Sequence, residues 1–223
     1  MTYTGDVQVG GPTQVRVLDL LEIRKAAVGP MQNNAYLLTC RAVGAQLLID
    51  AADDPDRLLA LLQEGTTQLD LVVTTHRHRD HHRALASIVA VTGATVAAGA
   101  DDADAIAEAT DIAVTQRLHD GDTVRVGNVA LTVVALRGHT RGSVALAYRE
   151  PGGRAHLFTG DSLFPGGVGA TQGPEAFDQL YADVVERVFD RFDDDTWVYP
   201  GHGRDTTLGA EREHLTEWRA RGW

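Results

Sequence analysis

The chain has little of what most specialised protein classes require. It contains a single cysteine, Cys40, in 223 residues, which excludes an internal disulfide framework and fits a reducing compartment. Cys40 follows Tyr36-Leu37-Leu38-Thr39 on an expected strand, so it reads as a buried structural thiol and not as a nucleophile. Basic charge is scarce: 20 Lys and Arg stand against 31 Asp and Glu, a net −11. That excludes the basic surface needed to replace phosphate counterions, so no nucleic-acid partner is expected. No apolar run approaches the length of a bilayer span, and no membrane association is expected. The opening Met1-Thr2-Tyr3-Thr4-Gly5-Asp6 has neither a basic leader nor an apolar core, so no secretory signal is read and a cytoplasmic location is expected. Internal repeats and low-complexity tracts are missing too, and no heptad pattern speaks for an oligomeric state. What remains is one domain over residues 1–223, long enough to bury a proper core.

What the chain does have is concentrated in Thr75-His76-Arg77-His78-Arg79-Asp80-His81-His82, directly after the apolar run Leu71-Val72-Val73. Four imidazoles and a carboxylate fill positions where an ordinary loop would carry Gly, Ser or Asn. Clustered imidazolium groups would repel one another unless kept neutral, and a metal needs them neutral. In an extended loop His76 and His78 project to the same side, while Asp80 and His81 can aim at a second point nearby. Two ligand pairs imply two ions. His82 is read as the first residue of the next helix.

Turn chemistry at Gly29-Pro30 and Gly44 separates the β-rich runs Val15–Leu21, Ala35–Thr39 and Gln46–Ile49, an antiparallel start. The residues before them, up to Gln14, read as loosely held. A helix follows Ala51-Ala52-Asp53-Asp54-Pro55 as far as Gly65. Next come a strand to Thr74, a helix over Arg83–Thr92, a strand over Ala94–Ala98 and a helix over Asp101–Ala109, whose acidic start suits the helix dipole. Hairpins are expected at Thr123–Val126 with Val129–Leu136, and at Val144–Tyr148 with His156–Thr159. The long loop Leu163–Gly173 is expected to wall a substrate cleft. A helix over Pro174–Phe192, a turn at Asp193-Asp194-Asp195, a strand over Thr196–Tyr199 and a helix over Ala210–Arg219 complete the chain. His119, His156 and His214 have no partner spacing and read as structural. Periodicity alone places the chain as α/β or α+β.

Five blocks in order resemble the metallo-β-lactamase superfamily, and within it the glyoxalase II-like hydroxyacylglutathione hydrolases. They are Asp50 after Leu47-Leu48-Ile49, Thr75 to His81, Gly138-His139-Thr140-Arg141-Gly142-Ser143, Phe158-Thr159-Gly160-Asp161-Ser162-Leu163-Phe164, and Tyr199-Pro200-Gly201-His202-Gly203. The resemblance implies an α+β fold, a four-layer αββα sandwich with a metal centre at one edge of two mixed sheets. It implies a first metal on His76, His78 and His139, a second on Asp80, His81 and His202, and Asp161 as the bridge. Asp50 would orient the centre from outside it. Two departures stand out. About twenty residues follow His202, so the helical extension with which family enzymes grip glutathione is not expected, and His82-Arg83 replaces the usual Gly-Gly.

Such a donor set suits two Zn²⁺ ions and tolerates Fe or Mn. A hydroxide held between the ions would be the nucleophile, attacking the carbonyl of a small-molecule substrate, with Asp80 and Asp161 as the catalytic carboxylates. No Ser or Cys nucleophile machinery and no separate general acid are visible, which favours a thioester, whose thiolate leaving group has a pKa of about 8.5 and needs little protonation. The thiol stays open. Two alternatives share the residues: a persulfide dioxygenase with one Fe on His76, His139 and Asp161, and a lactone or β-lactam hydrolase.

Overall fold

The structure, a computed structural model, describes residues 3–222. Its frame is set by runs such as Leu47-Leu48-Ile49 and Leu71-Val72-Val73, in which neighbouring residues are all buried. A strand alternates its side chains between faces, so a continuous apolar run needs cover on both. One face of the first sheet meets the second sheet through Leu47, Ile49, Val73, Leu146, Phe158 and Tyr199. The other meets helices through Leu48, Val72, Leu58, Leu61 and Ile88. A third cluster, with Leu157, Val198, Leu180 and Trp218, covers the outer face of the second sheet. Four layers result, helix, sheet, sheet, helix, and each fully buried Leu contributes about 1.5–3 kcal/mol.

The first sheet has seven strands in sequence order: β1 (Gln14–Val17), β2 (Leu21–Val28), β3 (Asn33–Cys40), β4 (Gln46–Ile49), β5 (Leu69–Thr74), β6 (Thr95–Gly99) and β7 (Gln116–Leu118). Pairing is antiparallel as far as β4 and parallel from there. The parallel crossovers are α1 (Pro55–Glu64), α2 (Leu85–Thr92) and α3 (Ala103–Thr110). Proline at the first turn and the Asp54 side chain, which accepts from the Arg57 N–H, start α1. The second sheet, with β8 (Thr123–Val126), β9 (Val129–Ala135), β10 (Val144–Arg149), β11 (Ala155–Gly160), β14 (Trp197–Pro200) and β15 (Thr206–Thr207), runs in the order 15-14-11-10-9-8. A small ribbon pairs β12 (Leu163–Phe164) with β13 (Gly167–Val168). The helices α4 (Pro174–Val184), α5 (Leu208–Arg212) and α6 (Leu215–Arg221) follow in sequence, α4 and α6 packing through Leu180 and Trp218. None of the helices among the described residues is long and apolar enough to cross a membrane.

Several expected boundaries move, each for a local reason. The single strand Val15–Leu21 is two strands, because Leu18 N–H donates to Leu21 O and turns the chain. Arg24 and Lys25 mask the apolar pattern of the second. The segment before Gln14 is tied down where described: the Lys25 ammonium donates to Gly5 O, and the Tyr3 hydroxyl to Asp205. Met1 and Thr2 lie outside the described residues. The helix over Pro174–Phe192 widens after Val184 into a π-turn, where Asp190 N–H reaches Val185 O and both Val188 and Phe189 are buried. The last helix breaks at His214 into α5 and α6. The edge strand β7, two of whose three residues are exposed, has no apolar pattern to read.

Candidate metal centre

Strands β4, β5, β11 and β14 end on one edge of the two facing sheets, and the polar loops they release meet there. At the end of β4, Asp50 is 1% exposed and holds φ at 60°, a left-handed conformation that a non-glycine residue adopts at a cost. Its Oδ1 accepts the Thr75 N–H (2.8 Å), and its Oδ2 accepts the Thr75 hydroxyl (2.9 Å) and faces His81 Nδ1 (2.8 Å). One carboxylate thus fixes both ends of the loop after β5.

The imidazoles are oriented by what their outer nitrogens touch. Nδ1 of His76 lies 3.0 Å from Thr75 Oγ1, that of His139 2.6 Å from Ala170 O, and that of His202 3.0 Å from Met31 O. These oxygens assign the proton to Nδ1 in each, as Asp50 does in His81, and leave Nε2 pointing inward. His78 turns Nδ1 inward instead, 3.1 Å from His76 Nε2 and 2.9 Å from His139 Nε2. His76, His78 and His139 form one group of donors; Asp80, His81 and His202 form another. Asp161 lies between them, with Oδ2 3.7 Å from His139 Nε2 and 3.5 Å from His202 Nε2, and Oδ1 3.4 Å from His81 Nε2.

A metal fits this arrangement on three observations. Asp161 Oδ1 is buried without a hydrogen-bond partner, an expensive state for a carboxylate oxygen unless a cation satisfies it. Three ring nitrogens converge where a single N–H at most would separate them. Gly201 is bare for a reason as well: a Cβ there would stand 2.2 Å from Asp161 Oδ1 and 2.7 Å from His81 Cε1.

Titration differs between the halves. Burial holds His76 well below the ordinary imidazole value, helped by the charge of His81, and burial also lowers His78, so both rings are neutral near pH 7, the form that a metal requires. Burial opposes charge on His81 too, but the carboxylates of Asp50 and Asp161 outweigh it and raise the ring to about 10. His202 is raised by Asp161 against burial. Asp161, despite burial, is held far below the carboxylate range by His202 and His81, and Asp80 is held below it by the Asn33 amide and His81. The raised pKa of His81 means that the metal-free fold keeps that proton at neutral pH, a hold that is lost as pH rises through about 10. Metal entering this half must displace it, so uptake at pH 7 is expected to release at least one proton and affinity to rise with pH. Zinc titrations in two buffers of different protonation heat measure this. Identical heats in both would contradict it.

All seven expected ligands and Asp50 come together. His82 does not start the helix: it closes a single turn over Arg79–His81, its Nε2 3.1 Å from Arg77 O, and the helix begins at Leu85. His156 is buried between Tyr199 Oη and Glu150, while His119 and His214 are surface groups outside the cluster. The loop Leu163–Gly173 brings Ala170 O to His139 and Gln172 to the cleft wall, while its ribbon leans on Glu211 through the Gly166 N–H. Two residues escaped the sequence reading. Asn33 donates Nδ2 to Asp80 Oδ2 (2.9 Å) and bridges to His202 through its backbone. Asp102, in the acidic start read as a dipole effect, accepts the Arg77 and Gly142 N–H groups (3.0 Å each) and the Thr140 hydroxyl, joining the His76 and His139 loops. A buried Asn33-Asn34 pair opening an apolar strand was the available signal for the first.

Residues 28–202 match the model of the metallo-beta-lactamase superfamily. The chain belongs to that superfamily. It is 34% identical over 172 residues to a hydroxyacylglutathione hydrolase of Polaromonas sp., covering 77% of this chain and 62% of the relative. The chain thus spans less than two thirds of that curated relative, and half of a second, from Fuscovulum blasticum. Among solved structures, TTHA1623 in a di-iron-bound form is 33% identical with a TM-score of 0.64, covering 84% of this chain and 96% of that one. ETHE1 from Myxococcus xanthus is 28% identical with a TM-score of 0.75, covering 89% and 84%. The fold of this superfamily, two mixed sheets between helices, is the one described above.

Proposed function

We propose that the protein is a dinuclear metal-dependent hydrolase of thioesters of a small thiol, using two Zn²⁺ ions. His76, His78 and His139 hold the first, Asp80, His81 and His202 the second, and Asp161 serves both. The observation that carries this reading is Asp161, whose two oxygens face histidines of both groups while one oxygen has no hydrogen-bond partner. Divalent ions at such ligands lower the pKa of a coordinated water towards about 7 and polarise a carbonyl oxygen. The chain supplies the rest. Asp50 keeps His81 pointed inward, Asn33 holds Asp80, and the backbone oxygens of Ala170 and Met31 orient His139 and His202. Asp80 and Asp161, both held ionised, are poor proton donors. That suits a thiolate, which leaves unprotonated, better than an amide nitrogen, which cannot. The relatives named hydroxyacylglutathione hydrolase support the same substrate class.

Zinc-loaded protein assayed against matched thioesters, oxygen esters, lactones and amides tests this. Turnover is expected to be fastest on thioesters, lost on chelation and restored by zinc. Thioester hydrolysis no faster than that of the amides would sink the proposal. A second reading, oxidation of a persulfide at one iron on His76, His139 and Asp161, draws on the likeness to ETHE1. Oxygen uptake by iron-loaded protein given a persulfide would favour it.

A further inference from the structure

The cleft beside the metal ligands has a wall of distinctive charge. It encloses about 460 Å³, and His78, His139, Arg77, Arg137 and Arg141 are among the residues that line it. Three arginines line it against one acidic residue, Asp101, on a chain whose net charge is −11. A larger depression of about 720 Å³, beside Gly29, Pro30 and Gln32, has neither a cation nor a ligand side chain in its wall.

The arginines differ in what already holds them. Arg137 donates Nε and Nη2 to the buried carboxylate of Asp183 (2.9 and 2.8 Å), which also takes its backbone N–H and lies 3.1 Å from Arg187. That guanidinium is fixed, its charge is matched, and 44% of its side chain is still exposed. Arg77 is less satisfied: its Nε stands 3.8 Å from Asp102 Oδ1, beyond hydrogen-bond distance. Arg141 has no ionic or hydrogen-bonded partner among the described residues. Two guanidinium groups with unspent donors thus flank a recess that opens on the metal ligands. Their planar forks match a carboxylate bidentately, and a recess screens such a pair less than open solvent does.

We infer that this recess is a subsite for a carboxylate of the substrate, gripped by Arg141 and Arg77 against the rigid Arg137, on the side of the scissile carbonyl that faces His78 and His139. The inference rests on the hydrolase reading for what binds there, and adds that the substrate is acidic. The carboxylate can come from the acyl group or from the thiol. Either source meets the same forks.

Non-hydrolysable thioethers, with methylene in place of the thioester carbonyl, separate these sources. Zinc-loaded protein is titrated calorimetrically with three of them: a neutral compound, one with a terminal carboxylate on the acyl side, and one with it on the thiol side. One acidic compound is expected to bind on the order of tenfold tighter than the neutral one, a preference that shrinks with added salt. In the Arg77→Gln/Arg141→Gln protein the preference is expected to vanish. In Arg154→Gln, whose partner Asp195 lies in a turn away from the cleft wall, it is expected to persist. Equal binding of the three compounds, no binding of any, or a preference that survives the double substitution would each overturn the subsite. The matched thioesters are assayed separately. Preference without turnover removes the hydrolase reading and leaves the subsite, whereas turnover without preference does the reverse.

Discussion

Asp161→Asn is expected to lower thioester turnover about a thousandfold and to leave the protein with a reduced metal complement. The two Asp161 oxygens face nitrogens of His81, His139 and His202 at 3.4 to 3.7 Å. An asparagine offers one acceptor and aims an NH₂ group at the other half of the site, so it cannot serve both. Charge stabilisation by a bound ion is worth several kcal/mol in the transition state, and each 1.36 kcal/mol is about a factor of ten in rate. Gly201, which packs on this carboxylate, tolerates an amide of the same shape, so the thermal transition of the metal-free variant is expected to stay close to that of the parent. Full metal content with less than a tenfold loss of rate would remove Asp161 from its place between the two groups.

Lys25→Met is expected to cost about 3–5 kcal/mol of stability, as removal of one partner from a buried ion pair does. The Lys25 and Asp205 side chains are both 0% exposed and lie 2.7 Å apart. The ammonium also donates to Gly5 O (2.7 Å) and Gly203 O (2.8 Å), so each of its protons has an acceptor. Burial pulls the Lys25 pKa down and pushes that of Asp205 up, and the charge of each opposes the shift of the other. Methionine leaves the Asp205 carboxylate buried with the Tyr3 hydroxyl as its hydrogen-bond donor and the Arg16 charge as its remaining electrostatic support among the described residues. For a chain of this length the midpoint should fall on the order of 10 °C. Lys25→Met/Asp205→Leu should recover much of the loss, because it removes both charges together. Gly203 adjoins His202, so the single variant is also expected to bind its second metal more weakly than its first. An unchanged midpoint, or a double variant no better than the single, would contradict this account of the pair.

How far these features could be read in advance depended on distance along the chain. The candidate ligands His76, His78, Asp80 and His81 share one loop, and their spacing alone points to a metal. His139, Asp161 and His202 sit alone in their segments and became legible only through the resemblance. Asn33 and Asp102 were opaque because the groups they hold, Asp80 and the Gly142 N–H, lie 47 and 40 residues away. The same limit hid Lys25: a lysine inside an apolar strand reads as an interruption until Asp205, 180 residues on, is seen beside it. Fold legibility followed a similar rule. The doubly buried strands β4 and β5 declared themselves by unbroken apolar runs. Strand β7, with its polar edge, and the turn at Leu18 to Leu21, set by one backbone hydrogen bond, did not.

Hydrolysis as proposed requires two metal ions at this edge of the sandwich. Metal per chain, measured by plasma mass spectrometry on protein purified without added metal, tests it most directly. Close to two equivalents, mostly zinc, are expected, falling in Asp161→Asn. One equivalent of iron would move persulfide oxidation ahead of hydrolysis, and a chain that holds no metal even after dialysis against zinc would contradict the account outright.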